Sequence, residues 1–379
     1  MKKIGVITYF YYYNYGTMLQ GYALRRAFDR LGKGNVKAEI IDCRYGEKKI
    51  SKVELIKIRF RRLFVYFTQL RRIIKLAKYK DEQTYRRPAF DQFAKMNCCL
   101  SEKTYRCSED LYGNPPQYDI YVTGSDQTWS PKIGLRDSLF LGFAPEGKVR
   151  VAYAPSIGVT TYTEEQSAYV KERLAKYKLV SCREKYGTEI LNNISPVKVE
   201  TVLDPTFMVY PQEWREIAVK PSFKGKYILC YFIGDRKYYR DFAKQLSKQL
   251  QLPLVYIPVS YMDFTHGDNM MWTAGPREFL GLIDNAEVVL TDSFHGSIFS
   301  INLNKNFYSF IKHAGLSAMD NMRILDILDR MSLRDRLQSE YKGGKIDYKE
   351  IDYTKTNELL AAERKISEAY LNKIIDSVK

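Results

Sequence analysis

The sequence predicts an α/β protein of two Rossmann-like halves facing each other across a cleft. Three observations carry this. Short apolar segments of strand length alternate with segments of helical periodicity along most of the chain. Such alternation implies mostly parallel, doubly wound sheets. The strand–helix pattern also falls into two sets that meet near residues 204–225, just after Asp204-Pro205. Finally, 379 residues is the length of two ordinary domains.

The first set opens with an apolar strand at Ile4 to Phe10 and a helix at Thr17 to Leu31, whose Leu19, Tyr22, Ala23 and Ala27 recur at helical spacing. A second strand spans Lys37 to Ile41. Further strands are expected at Tyr118 to Thr123, Val149 to Ala154, Leu179 to Cys182 and Val197 to Leu203. The second set has strands at Tyr227 to Ile233, Pro253 to Ile257, Glu287 to Leu290 and Asn306 to Phe310. Its helices fall near Lys237 to Leu250, Arg277 to Asp284 and Gly296 to Asn302. The expected domains are 1–205, with a basic helical insertion at about 51–95; 206–345; and a charged helical tail at 346–379 that packs back on the first domain.

The net charge is +16, which favours an anionic partner. Much of it lies in residues 57–80, which hold nine basic side chains and no acidic one. Ile56, Phe60, Leu63, Phe67, Leu70, Ile74 and Ala77 recur there at helical spacing. A basic amphipathic helix of this kind lies on anionic lipid or docks, solvated, on its own domain. No nucleic-acid motif accompanies the charge. The six cysteines include no C-x-x-C pair, so reduced thiols are expected rather than disulfides or a zinc site. No metal is expected. Lys2 and Lys3 precede an uncharged run, but Asn14, Gln20 and three glycines interrupt it. The expectation is therefore a protein that stays in the cytoplasm.

Ligands of open α/β sheets bind beyond the carboxyl ends of the strands, which directs attention to four loops. Asn14-Tyr15-Gly16-Thr17 opens a helix carrying Gln20; glycine permits close approach, and the helix start offers free N–H groups to an anion. It is neither a G-x-G-x-x-G nor a P-loop, which argues against a dinucleotide or ATP site. Gly124-Ser125-Asp126-Gln127 either lines the cleft, with Asp126 accepting from sugar hydroxyls, or caps a helix. Arg183, in Ser181-Cys182-Arg183-Glu184, either grips a carboxylate or phosphate with paired hydrogen bonds or pairs with Glu184 or Glu189. Thr291-Asp292-Ser293-Phe294-His295-Gly296 is the most pointed, because it carries one of only three histidines in the chain. Histidine is the side chain best suited to moving a proton near neutral pH.

Together these loops resemble the polysaccharide pyruvyl transferase family. The resemblance runs from about Lys3 to Asp335. It also takes in Leu203-Asp204-Pro205-Thr206, Gly275-Pro276 with Glu278-Phe279, and Asn321 with Arg323. It implies a fold like the GT-B glycosyltransferases, phosphoenolpyruvate as donor co-substrate with no cofactor, and a hexose acceptor that receives a cyclic pyruvate ketal. It implies His295 as general acid. Donor-binding residues would be Arg183, Ser293, Gly296, Asn321, Arg323 and Arg277. The acceptor side of the cleft would be Asn14, Gly16, Gln20, Gly124, Ser125 and Asp126. Some family members carry Arg two residues before the catalytic histidine; Ser293 stands here, so the donor's charge falls to Arg183, Arg277 or Arg323.

The acceptor is expected to be a surface polysaccharide or its lipid-linked precursor, with residues 57–80 touching the anionic inner leaflet. Two alternatives stand beside this reading. One is a GT-B nucleotide-sugar glycosyltransferase; the other is a non-catalytic glycan-binding member of the family.

Overall fold

The computed structural model describes residues 1–44, 85–234, 236–259, 269–312 and 317–378, without side chains at 317–320. The basic segment at 57–80 therefore lies outside the described residues.

In the first half, strand β1 (Lys2–Ile7) leads into helix α1 (Tyr15–Gly32) and strand β2 (Val36–Ile40). Helices α2 (Arg87–Asn97) and α3 (Ser108–Gly113) follow, then β3 (Ile120–Thr123), β4 (Val149–Ala152), helix α4 (Glu164–Leu174), β5 (Val180–Cys182), helix α5 (Lys185–Asn192) and β6 (Val199–Thr201). The sheet runs β2-β1-β3-β4, and β5-β6 continues it through the hydrogen bond from Ala152 N to Leu179 O.

Helix α6 (Pro211–Ile217) leads to the second half: β7 (Ile228–Tyr231), α7 (Lys237–Leu250), β8 (Leu254–Tyr256), α8 (Pro276–Asn285), β9 (Val288–Thr291), α9 (Phe294–Asn302), β10 (Asn306–Phe310), α10 (Ser317–Arg330) and β11 (Leu337–Gln338). Its strand order is β11-β10-β9-β7-β8. Every strand pair among the described residues is parallel. β3, β7 and β9 are buried at every position, as parallel strands covered by helices on both faces must be.

Local sequence explains where the helices start. Thr163 and Gln166 make a reciprocal capping box ahead of α4. Pro276 opens α8, and the Glu278 carboxylate accepts from Gly275 N. Two starts lie earlier than the periodicity predicts. α1 begins at Tyr15 because the Asn14 side chain accepts from Thr17 N; α9 begins at Phe294 because Ser293 Oγ accepts from Gly296 N. Strand β1 also ends three residues early. Gln20 Nε2 donates to Thr8 Oγ1 and Tyr9 O, which draws that backbone onto α1.

The halves share one apolar seam. Tyr15 stacks on Phe279 with ring centroids 4.5 Å apart, and its hydroxyl donates to Ala274 O. The last helix, α11 (Thr354–Ile375), crosses back over the first half. Tyr370 there donates to Ala152 O, Ser367 Oγ accepts from Leu203 N, and Lys2 Nζ donates to Ile375 O. Arg330, at the end of α10, ties three parts together: it donates to Arg183 O and pairs with Glu363 of α11 at 2.7 Å. Asp326, one turn earlier, accepts from Lys185 N at the start of α5.

Candidate active site

The carboxyl ends of both sheets open on one cleft, and a cavity of about 240 Å3 lies where they meet. Two helix N-termini from different halves point at it. Asn14 and Thr17 of α1 form one wall; Ser293, Phe294 and His295 of α9 form another. An N-terminus carries unpaired N–H groups and the positive end of the helix dipole, so the pair favours an anion between them. Lys312, Asn321 and Arg323 complete the cationic side. Asn321 holds the Lys312 backbone at both ends, with its amide N–H donating to Lys312 O and its Oδ1 accepting from Lys312 N.

His295 is the centre of the arrangement. Its imidazole is 8% exposed, and Nε2 has no hydrogen-bond partner. A Cβ on Gly16 would overlap the ring, so glycine is what lets the start of α1 lie against it. Nε2 sits 3.9 Å from Asp204 Oδ2. Burial pulls the imidazole pKa below its ordinary 6.5; Asp204 and Asp126 act in the opposite direction without overcoming it. At pH 7 the imidazole is therefore mostly neutral. An anionic ligand brought into the cavity would raise its proton affinity.

Asp204 sits behind the histidine, 3% exposed. Its Oδ2 accepts from Arg183 Nη1 at 2.7 Å and Ser125 Oγ at 3.2 Å; Oδ1 accepts from Thr206 N and Oγ1. Burial works against its charge, but Arg183, His295 and the Thr206 bonds hold the carboxyl below the usual range. Asp126 reaches the cavity from the end of β3 in a left-handed backbone conformation, φ 72°, and accepts from Thr17 Oγ1 and Gln127 N.

The candidate residues read from the sequence divide three ways. His295, Ser293, Asn321, Arg323, Asn14 and Asp126 line the cavity. Gly16, Gly296, Gly124, Gln20 and Ser125 stand behind it: Gly296 fits under Thr291, Gly124 lies over Thr8 and Val6, and Gln20 braces the Thr8–Tyr9 backbone. Arg183 and Arg277 do not reach it. Arg183 is 2% exposed; its Nε donates to Glu184, as the alternative reading of the sequence had it, and its Nη1 to Asp204, while Nη2 makes no hydrogen bond and lies 3.9 Å from Asp126 Oδ1, so the guanidinium is held chiefly by carboxylates of the protein. Those carboxylates outweigh burial and hold its pKa above the ordinary value. Its guanidinium also lies over the Phe294 ring, 4.4 Å from the centroid. Arg277 donates to Ile217 O at the contact between α8 and α6.

Three participants escaped the sequence reading. Asp204 was visible only as part of a motif, with nothing to mark it as the partner of a histidine ninety-one positions later. Lys312 follows the end of β10 by two residues, so the strand-end rule applied to that strand would have found it. Asp292 is buried beneath Lys312, 4.0 Å from its Nζ, and accepts from Ile233 N and Gly234 N, locking the loop after β7 to the loop after β9.

The fold is shared with solved structures of very different sequence. The MnaA–UDP complex from S. aureus aligns with a TM-score of 0.51 at 11% identity, covering 100% of this chain and 92% of that one. UDP-GlcNAc 2-epimerase from Neisseria meningitidis bound to UDP-GlcNAc gives 0.50 at 10%, covering 98% and 94%. No curated protein is significantly similar in sequence. The chain is thus a GT-B-like α/β protein of two Rossmann-like domains. It belongs to the polysaccharide pyruvyl transferase family, whose profile matches residues 14–312.

Proposed function

We propose that this protein transfers the pyruvyl group of phosphoenolpyruvate to a hexose of a surface polysaccharide or its lipid-linked precursor, forming a pyruvate ketal. The observation that carries the reading is a protonatable histidine in the first turn of α9, set against the N-terminus of α1 and sharing a cavity with two cationic side chains, in a chain of this family. Phosphoenolpyruvate brings a carboxylate and a phosphate, which Lys312, Arg323 and the two helix N-termini would meet.

His295, protonated once the donor's charge is in place, gives its proton to the methylene carbon, and C2 becomes electrophilic. A sugar hydroxyl adds to C2 and returns its proton to His295. Phosphate leaves with the proton of the second hydroxyl, which closes the ring. Asp204 stabilises the imidazolium across 3.9 Å, and Lys312 and Arg323 meet the carboxylate and the departing phosphate. General acid catalysis of this kind contributes roughly 10²–10⁴-fold.

Incubation with phosphoenolpyruvate and a hexose acceptor tests the reading. Inorganic phosphate release matched by a ketal-bearing sugar in the mass spectrum is expected. Nucleoside diphosphate release from a nucleotide sugar, with phosphoenolpyruvate untouched, would replace it with glycosyl transfer.

A further inference from the structure

A second cavity, of about 320 Å3, adjoins the one around His295. Asn14, Thr17, Asp126 and Gln127 belong to both walls. Beyond that shared wall the character changes. The first cavity has Lys312 and Arg323; the second has Tyr9, Tyr12 and Ile133, with Arg136 at its edge.

We propose that this second cavity is a sugar subsite that stacks one pyranose ring on Tyr12 against Ile133 and turns two of its hydroxyls toward Asp126. Its role as acceptor subsite rests on the pyruvyl-transfer reading; its capacity to bind a sugar does not.

Two large apolar side chains are exposed at one opening: Tyr12 is 47% and Ile133 44% exposed. Single exposed apolar residues are ordinary, but these two line the same cavity and give it an apolar side. Both are held in place. Tyr12 leans on the buried ring of Tyr9, centroids 5.7 Å apart. Ile133 sits in a tight turn in which its N–H donates to Ser130 O and Gly134, at φ 90°, donates to Pro131 O.

The backbone is left-handed at one residue of the shared wall and at the residue just before another. Tyr13 has φ 49° and Asp126 has φ 72°, conformations that non-glycine residues rarely keep without a reason. The turn at Tyr13 separates Tyr12, which faces out, from Tyr15, which is buried.

A pyranose suits such a site because one face is a patch of C–H groups and its rim is hydroxyls. The C–H face packs on the electron-rich face of an aromatic ring. Hydroxyls both donate and accept, matching the Asp126 carboxylate and the amides of Asn14 and Gln127. The cavity's volume falls within the roughly 300–1,000 Å3 usual for small-molecule sites, and its wall pairs an apolar side with a polar one, as the two aspects of a sugar ring require. Because Asp126 faces both cavities, a ring seated in the second presents its hydroxyls to whatever anion occupies the first.

Saturation-transfer NMR on the full chain with methyl glucoside, galactoside and mannoside tests the site, with phosphoenolpyruvate binding measured separately by calorimetry. At least one glycoside should receive saturation at its ring C–H protons. Tyr12→Ala should weaken that binding about tenfold, the scale of one lost aromatic contact. Tyr12→Phe should restore it, and phosphoenolpyruvate affinity should not change in either variant. Absence of glycoside binding to the native chain, or full binding by Tyr12→Ala with an unchanged melting temperature, would overturn the subsite. Glycoside binding that depends on Tyr12, in a protein that ignores phosphoenolpyruvate, would keep the subsite and remove pyruvyl transfer.

Discussion

His295 exchanges its proton under the control of what surrounds it, and that makes its behaviour with pH a direct test. The imidazole pKa in the free protein is below 6.5, so the protonated fraction shrinks as pH rises through that value. If His295 is the acid, kcat/KM is level at low pH and falls on raising pH through the free-protein pKa. The donor's negative charge raises the pKa in the complex, so the falling limb of kcat should lie at higher pH. Coincident limbs would remove the proposed coupling between donor and acid. His295→Gln should fold normally and lose at least ~10²-fold in kcat. Arg183 carries a different expectation. Arg183→Met leaves Asp204 and Glu184 buried without their cation, at a cost of roughly 3–5 kcal/mol in denaturant unfolding. An unchanged midpoint would contradict its structural role. From sequence, His295 stood out because histidines are scarce here and one falls beside a strand end. Arg183 also stood out, and its pairing with the adjacent Glu184 was one of the two readings open; what the sequence did not mark is the second carboxylate, Asp204, twenty-one positions further on.

The helices that frame the cavity depend on where they start. Periodicity registers the apolar stripe of α1 and α9 but not the capping residue, so both were expected to begin two residues late. That error has chemical weight: it leaves His295 in a loop, whereas the structure holds it in the first turn of α9 behind the Ser293 cap. Gly16 is the corresponding element of α1. Gly16→Ala puts a methyl group into the imidazole, so one of the two must shift. The expected result is overpacking of about 1–3 kcal/mol in thermal unfolding, together with a fall in kcat larger than any change in donor KM. A melting temperature and kcat equal to those of the native chain would mean that α1 does not press on the ring.

The two-half architecture was legible because it rests on many elements at once: of the eight parallel strand pairings among the described residues, seven join segments read as strands from the sequence, and only the short β11 was not expected. A mistaken boundary such as the end of β1 does not disturb it. The contacts between halves, Tyr15 on Phe279 or Arg330 on Arg183, join residues far apart in sequence and leave no periodic trace. At this scale the basic segment at 57–80 carries its own prediction. Basic residues near an anionic leaflet contribute about 1 kcal/mol each. The chain should therefore sediment with anionic but not neutral vesicles, and release in salt. Changing Arg61, Arg62, Arg71 and Arg72 to Gln should abolish this, and equal indifference to both vesicle types would exclude membrane contact. Among the described residues no helix is long and apolar enough to cross a membrane. One further consequence follows from the 3.9 Å between His295 and Asp204, because each belongs to a different half. Parting the halves would take Asp204 away from the imidazole and would also admit water to a ring whose burial now holds its pKa below the ordinary value. The two changes act in opposite directions, and burial is the larger of them. The titration of this one histidine therefore reports how far apart the halves stand.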